Sequence, residues 1–150
     1  MTTLKARLED DLRASMKARD ELVTSTLRMA LAAVRTAEVA GTQSRQLSDD
    51  EVLAVLTREA KKRREAAEAF AAAGRTGSAE KERAEELVLA GYLPAQLSDA
   101  ELATLVSAAL ATGEFSAAQL GPAMKVAQAA VAGRAEGGRV AAEVRRQLSR

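Results

Sequence analysis

The side chains of this 150-residue chain that carry chemistry are almost all carboxylates, ammonium groups and guanidinium groups, because cysteine and histidine are both absent. That removes the commonest proton carrier near neutral pH, the thiolate nucleophile, disulfides and the usual zinc ligands. Catalysis would then rest on a carboxylate pair, or on a serine activated by a lysine. Acidic pairs such as Asp49 and Asp50 stand in first helical turns, where they complement the helix dipole. The other carboxylates alternate with Lys and Arg, as on a solvated helix face. Ser48 and Ser98 each precede a Glu by three residues, the spacing of a helix cap, which accounts for both hydroxyls. No glycine-rich loop follows a strand pattern. No catalytic residue, metal ligand or cofactor is expected.

Phosphate binding fits the residues better. Lys125, Arg134 and Arg139 surround Gly133-Arg134-Ala135-Glu136-Gly137-Gly138, a glycine-rich loop ahead of a helix, and backbone amides at such a place take phosphate oxygens. One Tyr, two Phe and no Trp leave little to stack on unpaired bases. Contact with the backbone of a duplex or folded RNA is the expectation, and an ordinary solvated surface is the alternative. Formal charge is +1; residues 1–93 hold 16 basic and 16 acidic groups, and residues 94–150 hold 6 and 5, so any basic site is a local patch.

A second polar constellation lies in Arg58-Glu59-Ala60-Lys61-Lys62-Arg63-Arg64-Glu65. Glu59 and Arg63 are four apart in the favourable order, and Arg63 falls in the middle of an otherwise apolar face. The expectation is a snorkelling arginine with Glu59 as its partner and Glu85 within reach from the next helix. The sharper reading is a polar network at a functional groove, and the structural one is favoured.

The elements that must position these groups are helices throughout. Alanine, leucine, glutamate and arginine dominate, and β-branched runs are absent. Spacing predicts a first helix with Leu4, Leu8, Leu12 and Met16 inward, then a central helix over 21–40, apolar on two faces and capped by Asp20. A third helix is expected over 49–73, and a turn at 74–78. A fourth follows over 79–93 with Ala84, Val88 and Tyr92 packed. Pro94 in Gly91-Tyr92-Leu93-Pro94-Ala95-Gln96-Leu97-Ser98 cannot donate a backbone bond and pushes Leu93 towards an extended conformation. This stretch reads as a joint, with Tyr92 and Pro94 as interdomain residues. Ser98 with Glu101 then opens a fifth helix over 99–111, Ser116 precedes a sixth around Pro122, and a seventh runs over 139–148. The expected architecture is all-α: an N-terminal four-helix domain, 1–93, joined to a small three-helix tail domain, 94–150.

These residues also resemble a known family. Arg28-Met29, the run from Arg58 to Glu65, Ala73-Gly74-Arg75, Glu85, Tyr92 to Ser98, Leu120-Gly121 with Met124, and Gly133-Arg134-Ala135-Glu136-Gly137 are similar, in order and spacing, to the GatB/YqeY family over the whole chain. Glu136 stands where the family has Asp, and Pro122 where a polar residue follows Gly121. The resemblance implies a two-domain helical protein whose C-terminal half is similar to the tail domain of the GatB subunit of the tRNA-dependent amidotransferase, a domain that contacts tRNA. It implies tRNA as a partner, with amidotransferase or aminoacyl-tRNA synthetase components as further candidates and no DNA. The chain is too short for that enzyme's catalytic cradle, and no serine–lysine amidase arrangement is recognised. The alternative is a carbon–nitrogen ligase with glutamine as amido donor, acting with partner subunits; a second is a helical protein-interaction module. The segment from Met1 to Arg7 has no apolar core of a secretory leader and no run reaches membrane-spanning length, so a cytoplasmic protein is expected.

Overall fold

The computed structural model describes residues 2–150; Met1, the first residue of the segment compared with a secretory leader, lies outside them. Among the described residues the regular structure is entirely helical. The elements are α1 (Leu4–Ala18), α2 (Glu21–Glu38), α3 (Asp49–Ala72), α4 (Thr76–Ala90), α5 (Asp99–Leu110), a 3-10 turn (Ala117–Gln119), α6 (Leu120–Val131) and α7 (Gly137–Leu148). Their packing falls into two compact units, one up to Leu93 and one from Pro94.

Local chemistry accounts for the helix starts. Asp20 accepts from Val23 N–H at 3.1 Å. Ser48 and Glu51 form a complete capping box, and the Glu51 carboxylate also takes the Arg45 guanidinium at 2.7 and 2.9 Å. The Arg45 bond, then that from Ser48 N–H, lowers the Glu51 carboxyl to about 2. Leu47 and Val52 both join the first core, as a staple across that cap should. Ser98 accepts from Glu101 N–H at 3.1 Å. Ser116 and Gln119 box the 3-10 turn, and α6 begins at Leu120 with Pro122 in its first turn, where a missing N–H costs nothing.

In the first unit α2 packs on α1, α3 and α4, which is why it is apolar on two sides. Its core is Leu8, Leu27, Ala30, Leu31, Val34, Val52, Val55, Leu56, Ala60 and Leu89. Met16, expected inward, is half exposed. The stripe of α1 turns away from α2 there, and Ser15 is buried instead, its hydroxyl 2.8 Å from that of Thr24. Lys5 reaches Glu38 at 2.9 Å and ties the start of α1 to the end of α2.

The α3–α4 connection is tighter than its glycines suggest. Gly74 alone takes the left-handed conformation, with φ 76°. Arg75 N–H then bonds Phe70 C=O at 2.8 Å, and Gly77 and Ser78 fall inside the first turn of α4. The helix therefore starts and stops about three residues earlier than its spacing predicts. Its buried stripe is Ala79, Glu85 and Leu89, with Ala84, Val88 and Tyr92 half-buried beside it.

In the second unit α5, α6 and α7 pack mutually around Leu97, Leu102, Val106, Ala123, Ala127, Val131, Ala135, Val140 and Val144. No helix of the described residues is long and apolar enough to cross a membrane.

Candidate nucleic-acid interface

The α6–α7 loop is where the candidate phosphate contacts gather. α6 buries Ala123, Ala127 and Val131 at four-residue spacing. Lys125, two residues on from Ala123, falls on the opposite side of the helix and is exposed. Ala132 and Gly133 both adopt left-handed conformations, φ 51° and 77°, and reverse the chain. The reversal buries Ala135 and leaves Arg134 exposed.

Leu97 anchors this loop from the start of the unit. It is buried, and both its backbone groups are held: its N–H donates to Arg134 C=O at 2.7 Å, and its C=O accepts from Arg139 Nη2 at 3.0 Å. The same Arg139 nitrogen reaches Asp99 Oδ1 at 2.9 Å. The structure thus brings Arg134 and Arg139 together around Leu97. Lys125 stands six residues before the end of α6, about 9 Å from that end along the helix axis. Arg139 is half-buried and bound to the start of α5, so this candidate phosphate contact has a structural duty as well.

α7 opens at Gly137 without a side-chain cap, and the space a Cβ would occupy at Gly133 and Gly138 is open. At Gly137 itself the Gln128 side-chain nitrogen stands 3.8 Å from the Cβ position, and the uncapped helix start favours an anion through its dipole. Arg134 also borders an open depression of about 370 Å³ lined by Leu97, Ala100, Glu101, Thr104 and Leu105.

In the polar constellation of the first unit Glu85 reaches Arg63 as expected, but Glu59 does not pair with it. Glu59 is buried, and its carboxylate takes Lys62 Nζ at 3.2 Å rather than Arg63. Arg63 reaches across the α3–α4 hairpin to Glu85 and Glu82, 3.5 Å each, and its Nη1 donates to Met29 Sδ at 3.2 Å. A three-residue spacing to Lys62 competes with the four-residue one to Arg63, and the carboxylates of α4 win the guanidinium because the hairpin presents them to it. Arg63 Nε and Glu82 Oε2 are buried without a hydrogen bond. Among the described residues no cluster of three or more acidic groups is disposed to hold a metal ion.

Tyr92, expected at a joint, makes its contacts with α1. Its hydroxyl donates to Asp11 Oδ2 at 2.5 Å, and the Arg7 guanidinium lies 4.6 Å above its ring. Burial, then the Asp11 carboxylate, pushes the phenol well above its ordinary range. Asp11 belongs to a charged helix face, and no local spacing could have announced a partner 81 positions away. Pro94 is half-buried at the start of the non-helical stretch that leads to Ser98.

No match is found among curated proteins. Residues 5–148 match the family model described as Yqey-like protein, a span that takes in α1 to α7 but for the first residue of α1. By that match the chain belongs to the Yqey-like family.

Proposed function

We propose that this chain binds tRNA, or the machinery that handles tRNA, through its second unit and performs no catalytic step of its own. The observation that carries this reading is Arg134: an exposed cation on a backbone anchored at Leu97, beside the start of α7, which has no side-chain cap. A cation beside an uncapped helix start favours a phosphate through its own charge and through the helix dipole. Family membership and the tail-domain resemblance make folded RNA the natural source of that phosphate. Lys125, on the outer side of α6, and Arg139 complete the contact set.

The test is fluorescence anisotropy with unfractionated tRNA across a salt series, with duplex DNA as competitor. Binding should prefer tRNA and weaken steeply as salt rises. The double variant Lys125→Glu, Arg134→Glu should bind at least about tenfold more weakly, because charge reversal opposes the phosphates it formerly met. Arg139 is left intact there, since it also holds α5. Absence of binding at low salt, where phosphate contacts are strongest, would exclude the proposal.

A further inference from the structure

The cap of α5 is only half made. Ser98 accepts from Glu101 N–H, but the Glu101 carboxylate does not return to the cap as the Glu51 and Gln119 side chains do at theirs. It stands instead, with Ala100, Thr104 and Leu105, at the depression of about 370 Å³ that Leu97 and Arg134 also border. Ala100 and Thr104 are four apart, as are Glu101 and Leu105, so these residues form one continuous strip of α5. The bond from Leu97 N–H to Arg134 C=O, 2.7 Å, sets the α6–α7 loop against the end of that strip.

A carboxylate and a guanidinium thus border one depression, and they do not pair with each other. Thr104 Oγ1 donates to Ala100 C=O at 3.0 Å, so what it offers a ligand is a lone pair. Half-buried Leu105 and the methyl of Ala100 supply apolar surface beside these groups. The volume falls within the range of small-ligand sites. The matching ligand is anionic at one end, apolar on its faces, and rich in hydrogen-bond donors at the other end. A nucleotide has this form, with its phosphate on Arg134 and its base edge on Glu101. Among the RNA bases guanine alone presents two neighbouring donors, N1–H and N2–H, to the two oxygens of a carboxylate. Adenine and cytosine set an unprotonated ring nitrogen beside their amino group, and uracil flanks its N3–H with carbonyls; each of these repels a carboxylate.

We propose that this depression binds an unpaired guanine of a folded RNA, its Watson–Crick edge on Glu101 and its phosphate on Arg134. This rests on the tRNA-binding reading and deepens it, because it names a base that the second unit reads. A guanine within a duplex has this edge occupied by its partner, so the site selects a loop or an end. Leucine and alanine surface takes the place of the aromatic platform that the chain lacks.

The experiment measures anisotropy of the full chain with unfractionated tRNA and with two RNA hairpins. The hairpins share a uracil loop and differ in one loop base, guanine or adenine. Wild type should bind the guanine hairpin about tenfold more tightly. Glu101→Gln should abolish that preference and weaken tRNA binding about tenfold, although it removes a negative charge. A surface that met phosphates alone would respond in the opposite direction, since losing a carboxylate beside RNA tightens such binding. If wild type binds tRNA but does not distinguish the hairpins, or Glu101→Gln binds tRNA as well as wild type or better, the guanine site is overturned. The functional reading then stands on the loss of affinity in Lys125→Glu with Arg134→Glu. If wild type fails to bind tRNA at low salt, the functional reading falls and the guanine site with it. Should Glu101→Gln lose the wild-type thermal melt, Ala100→Leu decides, because Ala100 is exposed and the larger side chain fills the depression. Loss of the guanine preference supports the site, and an unchanged preference overturns it.

Discussion

Tyr92 is the only tyrosine in the chain, so its ionisation can be followed by phenolate absorbance without interference. Burial and the Asp11 carboxylate both favour the neutral phenol, while the Arg7 charge opposes them. The midpoint in the folded protein should therefore lie above the ordinary 10.0. Because the folded value is raised, the stabilisation is complete below the unfolded value and disappears as pH rises through the folded one. Asp11→Asn should bring the midpoint back towards 10.0, and Tyr92→Phe should cost about 1.5 kcal/mol in urea unfolding, the low end for a bond to a charged group, since Asp11 is partly exposed. A midpoint at the ordinary value in wild type would mean that the Asp11 bond does not persist in solution. Lysine and arginine types at 125, 134 and 139 are legible in the sequence as cations, in the same way that Tyr92 is legible as singular. What each one touches is not: Arg139 serves the start of α5 through Leu97, 42 residues away.

At the scale of elements, the signals that depend on neighbours within a turn are readable. The caps at Asp20, Ser48, Ser98 and Ser116 all form, because cap and amide are three residues or fewer apart and need no tertiary partner. The position of α4 departs from its spacing for the opposite reason. One left-handed glycine suffices to close α3, and which of Gly74 and Gly77 takes that role is decided by how the hairpin packs. The same packing determines the partner of Arg63. Of its two carboxylates across the hairpin, Glu85 is 8% exposed in its side chain and Glu82 is 16%. Removing the guanidinium leaves both without their counter-charge in a poorly hydrated place. Arg63→Ala should therefore destabilise the first unit by about 3–5 kcal/mol, well beyond an exposed Arg→Ala change such as Arg58→Ala. Replacing Arg63, Glu82 and Glu85 together by apolar residues of similar volume should restore much of the loss. Chemical denaturation of the three proteins tests this, and equal stability of the Arg63 and Arg58 variants would rule it out.

For the whole molecule, two separate cores carry a definite consequence. The described core of the first unit is drawn wholly from residues up to Leu93, and that of the second wholly from residues after Pro94. Each unit closes its own helix ends: α3 and α4 through Gly74, α5 and α7 through Arg139, Leu97 and Asp99. A fragment covering residues 94–150 is accordingly expected to fold alone, helical by circular dichroism and with a cooperative melt. Its margin should be small, because a domain of about 60 residues buries only some 60% of the surface that its unfolded chain exposes. Arg139→Ala probes that margin directly. It frees the buried Leu97 carbonyl and should cost about 1–3 kcal/mol, enough to leave the fragment largely unfolded while the melt of residues 1–93 is unaffected. A fragment that is unfolded even before the substitution, while the full chain melts in one transition, would show that the two cores depend on each other and that the break before Pro94 is not a domain boundary.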